Sequence, residues 1–445
     1  MIHRLRYLIA AAAVSIAALA AQPAGATTVQ RVVSPGGIVA WLVHEPSLPL
    51  VALNFAFVGG ATQDPADKPG VGYMVSSLLD DGAGELDAKA FQQRLEENAV
   101  DLRFSLTQDY FFGSIRLLKD RQEQSFDLLR LALNQPRFDA DAIGRVREQI
   151  LSGLRRETTD PGSIGNRAWW AAAFPNHPYG SPTSGSLTSV PTITADDLRT
   201  FARQVLTRDT LKIAAVGDID PATLGQTLDR VFGTLPATGT RVAVPDVATR
   251  DGGRRIVTQL AVPQAVVRLG GAGIMRKDPD FIPAYMVNHI LGGGSFTSRL
   301  YDEVREKRGL AYGVYSYLMT MRHAALFIAS TQTQAASTRE ALELIEAQIH
   351  RMVKDGPTED ELAKAKAYLK GSYALNFDTS TKIAGILLQN QLDELGIDYI
   401  DKRNGLMDAV TIEDARRAAK RLGQGGLLVT VVGQPKDLTS KEPGG

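Results

Sequence analysis

Arg305 and Tyr312 stand seven positions apart in the stretch Gly292-Gly-Gly-Ser-Phe-Thr-Ser-Arg-Leu-Tyr-Asp-Glu-Val-Arg-Glu-Lys-Arg-Gly-Leu-Ala-Tyr312. One is a permanently charged donor and the other a phenol. Aimed at one carbonyl, they could bind it and steady negative charge forming on its oxygen. The elements that must position them are legible locally. A glycine-rich turn leads into a short helix, with Ser295 or Thr297 expected as its N-cap. Leu300 and Val304, four apart, put one helix face inward. Gly309 suits the C-cap, where φ is positive. From Ala311 the strand formers Tyr312, Val314, Tyr315, Tyr317 and Leu318 predict a β-strand. A helix turning back into a strand can set Arg305 and Tyr312 side by side. Taken alone, the stretch has a plainer reading. Arg305, Lys307 and Arg308 would be a solvated helix end favoured by the helix dipole, and Tyr312 an ordinary strand aromatic.

The whole chain has 445 residues, no cysteine and 49 charges of each sign. Residues 1–26 read as a bacterial secretory leader: Arg4 and Arg6, an apolar run from Tyr7 to Ala21, then Ala24-Gly25-Ala26 as a cleavage site. A cleaved leader implies a periplasmic protein, with no membrane attachment once it is removed. A nearly neutral surface offers no electrostatic case for nucleic acid. Without disulfides, stability must come from packed cores, and the length allows two or more domains.

The pattern from residue 28 predicts a β-meander of strands at 29–33, 38–43 and 51–58. Helices follow at 71–80 and 87–98, and strands at 100–106 and 110–117. Helices are expected again at 118–134 and 139–157, then a loop at Asp160-Pro161-Gly162 and a short helix at 166–174. Thr194 caps an amphipathic helix to Leu206. A strand at 211–216 ends in Gly217, and a helix at 221–232 closes the first half. Residues 236–254, rich in Gly, Thr, Pro and charge, read as a linker. Then the pattern restarts, with strands near 256–260 and 265–270 and a helix at 279–291. Tyr73-Met-Val and Tyr285-Met-Val occupy matching places, as do Thr194-Ala-Asp-Asp and Thr411-Ile-Glu-Asp. The two offsets differ by only a few residues. Two copies of one α+β domain follow, an N-terminal one over 27–235 and a C-terminal one over 255–435. Residues 436–445 read as a polar tail without structure of its own.

Common self-contained chemistries are missing. The mature chain keeps His44, His177, His289, His323 and His350, none three or four residues from another, so no helix face presents two imidazoles. There is no serine nucleophile elbow, phosphate loop or dinucleotide fingerprint.

Over essentially its whole mature length the chain resembles the inverzincin peptidases, the pitrilysin and mitochondrial-processing-peptidase group, in its smaller bacterial subfamily. The resemblance implies two homologous α/β-sandwich domains, each a mixed sheet with helices on one side, closing as a clamshell. Active members carry His-x-x-Glu-His on a helix and a distant Glu as third zinc ligand. Aligned on Gly70, the two histidines fall on Tyr73 and Ser77 and the catalytic Glu on Ser76. Counting back from Asp160-Pro161, the third ligand falls on Gly153. These residues offer no zinc ligand set. The second-domain signature, by contrast, stands intact as Val304-Arg-Glu-Lys-Arg-Gly-Leu-Ala-Tyr312. In the family that Arg binds a substrate carbonyl and that Tyr steadies the oxyanion.

The resemblance therefore implies the non-zinc subunit of a heterodimeric periplasmic metallopeptidase, not a peptidase alone. It would hold no cofactor itself. Zn²⁺ would sit in a homologous partner subunit, and the substrate would be a peptide or unfolded polypeptide. Gly292, Gly293 and Gly294 would either let backbone approach substrate closely or simply stop a helix. A second reading is an inactive periplasmic peptide-binding or assembly protein of the same fold. A third, a hydrolase using Tyr73, Ser76 or Ser77, lacks a base in register beside those hydroxyls.

Overall fold

The computed structural model describes residues 28–250 and 252–442. The expected leader at 1–26 lies outside the described residues. Two sheets dominate. The first is built from β1 (Gln30–Val33), β2 (Val39–His44), β3 (Leu50–Val58), β4 (Asp101–Leu106), β5 (Tyr110–Leu118) and β6 (Lys212–Gly217), in the order β1-β2-β6-β3-β5-β4. The second is built from β7 (Arg255–Gln259), β8 (Gln264–Ala272), β9 (Ala311–Thr320), β10 (Ala325–Gln334) and β11 (Leu428–Gly433), in the order β7-β11-β8-β10-β9.

The two orders superimpose when β7, β11, β8, β10 and β9 replace β2, β6, β3, β5 and β4. In both, the last strand of the half inserts between the two that open the shared pattern, pairing parallel with one (β2 or β7) and antiparallel with the other (β3 or β8). This corrects the expected meander: β6 separates β2 from β3. Local sequence favours pairing of neighbours, but the apolar strand Ile213–Val216 is buried throughout and can be satisfied only at the sheet centre. Both inserted strands end in a positive-φ glycine, Gly217 at +138° and Gly433 at +152°. A Cβ on Gly217 would sit 2.2 Å from the Leu50 carbonyl oxygen, so only glycine fits there.

One face of each sheet carries that half's own core: Phe55, Phe57, Phe111, Phe201 and Phe232 in the first half, and Val267, Leu269, Phe327, Leu342 and Ile345 in the second. The other face receives a helix from the opposite half. Helix Pro161–Ala173 lies on β8 and β11, and Trp169, fully buried, donates its indole N–H to the Leu428 carbonyl at 3.1 Å. Gly270 makes that possible, because a Cβ there would meet the indole at 2.6 Å. Reciprocally, helix Ser380–Leu392 lies on β3 and β6, with Ala384, Leu387 and Leu388 against Val43, Ala56, Ala214 and Val216. Gln391 donates to the Ile213 carbonyl at 2.8 Å.

A buried polar hub pins the seam. The Asp109 carboxylate accepts from Tyr179 Oη at 2.7 Å and from the Arg322 backbone N–H at 3.0 Å. The same tyrosine oxygen accepts from the His323 N–H at 3.1 Å.

Several expected elements shift. The first helix covers only Val71–Ser76 before turns lead to Asp80. The expected loop at Asp160-Pro161-Gly162 is instead a helix start: Asp160 accepts from Ser163 N and Pro161 takes the first position, where its missing N–H costs nothing. The C-terminal segment is not free either. Leu438 is buried, and Lys441 exchanges backbone hydrogen bonds with Arg255 at the edge of β7. Pairing satisfies edge amides that solvent would otherwise have to satisfy. Among the described residues, no helix is long and apolar enough to cross a membrane.

Candidate functional site

The helix carrying Arg305 runs Arg299–Tyr301 and continues through a widened turn, Asp302–Glu306. Its N-cap is Ser298, whose hydroxyl accepts from the Tyr301 N–H, and not Ser295 or Thr297 as expected. A widened turn at His289–Gly293 and a tight one at Ser295–Thr297 precede it. Such wide turns recur at functional sites. Gly309, at φ +62°, ends the helix, and β9 begins at Ala311.

Arg305 and Tyr312 are brought together. The guanidinium lies 4.6 Å from the centre of the Tyr312 ring and 4.8 Å from that of Tyr301, so two aromatic rings flank it. It donates to the Tyr312 carbonyl at 2.9 Å. Cation–π contacts of this kind hold a planar cation in place while leaving edge donors free. Tyr312 is 86% exposed, and its hydroxyl has no hydrogen-bond partner among the described residues. Tyr301 is buried and meets Phe296 edge-on at 5.0 Å. Sequence reasoning missed Tyr301, although it lies four residues before Arg305 and so on the same helical face.

Gly292 is buried against β9; a Cβ there would sit 2.5 Å from Ser316 Oγ. Gly293 is exposed and Gly294 half-buried.

Tyr73, Ser76 and Ser77 line one cleft of about 490 Å³ together with Gly153, which is distant in sequence. Its walls come from helix Val71–Ser76, β4 and helix Ala140–Glu157. Ser76 and Ser77 both donate to the Tyr73 carbonyl, at 2.8 and 3.0 Å. A Cβ on Gly153 would meet nothing nearer than Arg156 Nη2 at 3.9 Å. This donor set does not fit zinc: two hydroxyls turned to backbone, one phenol and a glycine supply neither imidazole nor carboxylate. Among the described residues, no group of three or more His, Cys, Asp or Glu could hold a metal ion. Asp80 also lines the cleft. Burial pushes its carboxyl up to about 6, with Asp81 adding to the rise.

The cleft is not isolated. It shares Glu157 and Ser184 with a cavity of about 620 Å³ between the halves, which in turn shares Asn166 with one of about 640 Å³ lined by Tyr312. Three neighbouring cavities thus follow helix Pro161–Ala173, with Tyr73 lining the first and Tyr312 the last. Arg305 flanks the last through its contact with Tyr312.

Residues 39–186 match the family described as insulinase, peptidase family M16, and residues 192–369 match the peptidase M16 inactive domain. The chain belongs to the M16 peptidase family. Among curated relatives of this M16 chain, the non-peptidase homolog YmxG of Helicobacter pylori is 27% identical over 334 residues, 75% of this chain and 77% of that one. An uncharacterized zinc protease of Streptomyces coelicolor is 25% identical, covering 93% of this chain and 91% of its own. The crystal structure of a peptidase M16 inactive domain from Pseudomonas fluorescens superposes with a TM-score of 0.86 at 28% identity, over 93% of this chain and 99% of that one. That of a protease from Helicobacter pylori, 18% identical, shares the fold at a TM-score of 0.82. The family and the two-domain α+β architecture are those the sequence implied. Relatives of this M16 chain are described both as a non-peptidase and as zinc proteases, so membership does not decide whether a given chain hydrolyses anything.

Proposed function

We propose that this chain is the non-zinc subunit of a two-component periplasmic metallopeptidase. A homologous zinc-bearing subunit would supply the metal that activates water. The observation that carries the reading is Arg305 held between the rings of Tyr301 and Tyr312, beside an exposed phenol whose hydroxyl has no hydrogen-bond partner among the described residues, in a chain whose cleft offers no ligand set. Arg305 Nε also faces Glu306 at 3.7 Å, so in the assembled chamber Arg305 binds a substrate carbonyl through its remaining terminal donors. The Tyr312 hydroxyl donates to the oxyanion as the tetrahedral intermediate forms. Pre-aimed donors of this kind are worth most where water is scarce. The succession of cavities from Tyr73 to Tyr312 supports an extended peptide as the substrate.

The same cavities also favour a second reading, a peptide-binding protein with no part in hydrolysis, in keeping with the Helicobacter pylori relative described as a non-peptidase. One experiment separates them. Peptidase activity on an unfolded peptide mixture is measured for this chain, for a zinc-motif homologue from the same organism, and for both together. The split-site reading expects activity only in the mixture, abolished by chelation. Arg305→Ala or Tyr312→Phe should lower it about 10²–10³-fold. A mixture no faster than the zinc-motif chain alone leaves the binding protein as the function.

A further inference from the structure

We infer that the cavity beside Tyr312 is a carboxylate-recognition subsite whose binding group is Arg268. Its ligand is the C-terminal carboxylate or an acidic side chain of a peptide. The inference rests on the peptide reading above and extends it to the chemistry of the ligand.

Strand alternation places the group. On β8, Gln264, Val266 and Arg268 project to the face away from the second core, while Ala265, Val267 and Leu269 project into it. Arg268 pairs with Ser330 on β10, and Ser330 pairs with Tyr315 on β9, so the three form a row across the sheet. Helix Pro161–Ala173 borders that row and closes a cavity of about 640 Å³ over it.

Arg268 is half-buried and built in. One terminal nitrogen donates to Asn166 Oδ1 at 2.5 Å, the other to Tyr317 Oη at 2.7 Å, and the guanidinium sits over the buried Trp169 ring at 5.7 Å. Both partners are neutral. The Nε–H is buried without a hydrogen-bond partner among the described residues. Among the described residues, no carboxylate stands within ion-pair distance of Arg268. Arg276 and Arg299, also partly buried, do have one, in Asp393 and Glu361, whereas Arg147 and Arg403 donate to backbone carbonyls that close around them. A cation drawn from water without a counter-charge is costly to the fold, and such a group in a cavity has charge to offer a ligand. The rest of the lining is neutral amide, hydroxyl and phenol, from Asn166, Gln264, Ser330, Gln332, Tyr312 and Tyr315. The nearby acid at the helix end, Asp160, is engaged by the Ser163 N–H at 2.7 Å. A planar fork with one charge, and no acid within ion-pair distance among the described residues, matches a carboxylate in geometry and sign.

The test needs neither partner nor hydrolysis. A short flexible peptide is titrated calorimetrically into the full chain in four forms, pairing a free or amidated C-terminus with an internal Glu or Gln. Trp emission reports in parallel, because Trp169 lies under the guanidinium. Removing the recognised carboxylate should weaken binding about 30-fold or more. Loss on amidation identifies the C-terminus, and loss on Glu-to-Gln exchange the side chain. Arg268→Gln should erase the difference between the forms, and Arg268→Lys should keep only part of it, with folding checked by circular dichroism. Should Arg268→Gln not fold, acetate should displace the peptide from the wild-type chain while acetamide does not. Equal binding of all four forms, no binding of any, or equal competition by acetate and acetamide would overturn the subsite. Loss of activity in the two-chain mixture leaves this result untouched, so the two readings fail separately.

Discussion

Arg305 is the residue on which the proposed function turns, and its environment says how it is controlled. A free arginine side chain loses considerable rotamer entropy when it binds a carbonyl. Here the two flanking rings and the Tyr312 carbonyl have already ordered it. Tyr301 therefore acts as a positioning residue. In the two-chain assay, Tyr301→Leu should lower kcat/KM between a few-fold and about thirtyfold, the span of a partly desolvated cation–π contact. Tyr301→Phe, which keeps the ring face, should stay near wild type; equal losses in both would remove the positioning role. Gly153 makes a different prediction at the same scale. It lies within helix Ala140–Glu157 with open space where a Cβ would go. Gly153→Ala should stabilise the chain by about 0.5–1 kcal/mol in urea unfolding.

Among the elements bordering the degenerate cleft, helix Val71–Ser76 is the short helix. Its N-terminus is anchored by Asp64, which accepts from the Gly70 and Gly72 N–H groups at 2.7 Å each. Burial dominates that carboxyl and pushes it from 3.8 up to about 7, against the opposing pull of the three backbone donors. Between those values the folded chain keeps a proton that the unfolded chain has released. The resulting stabilisation is fully present below pH 3.8 and lost as pH rises through about 7. Over that window this group makes stability fall by about 1.4 kcal/mol per pH unit. Urea titrations at a series of pH values should show a flatter profile for Asp64→Asn than for wild type; parallel profiles would contradict the shift.

At the scale of the whole molecule the exchanged helices decide the behaviour. Helix Pro161–Ala173 belongs by chain order to the first half and packs on the second sheet. Helix Ser380–Leu392 does the reverse. Neither sheet is covered on both faces unless both halves are folded. Heating should therefore give one cooperative transition with matching calorimetric and van't Hoff enthalpies. Leu387→Ala, at a fully buried position on the exchanged helix, should lower the stability of that single transition by about 2–5 kcal/mol. Two resolved transitions would mean the halves unfold separately.

Much of this was written locally. Thr194 and Thr411 announce their helices because a capping box needs only residues within one turn, and both boxes form with Asp197 and Asp414. Helix Pro221–Phe232 and the approach of Arg305 to Tyr312 follow from the same short-range rules. The repeat was legible because two copies of one pattern occupy one chain. What stayed hidden depends on partners distant in sequence. Nothing near Ile213 says that β6 enters between β2 and β3. Pro161 was readable as a helix start only if Asp160 was taken as its cap. Leu438 and Lys441 find the edge of β7 nearly two hundred residues away. The convergence of Tyr73, Ser76 and Ser77 with Gly153 was carried by alignment to a family pattern, and only the packing of two helices and a strand puts them in one cleft. Arg268 read as one polar residue in a strand. Its missing counter-charge is a property of the helix laid over it, because hydrogen bonds and caps are set by neighbours along the chain, whereas burial and charge balance are set by whatever the fold brings to the same place.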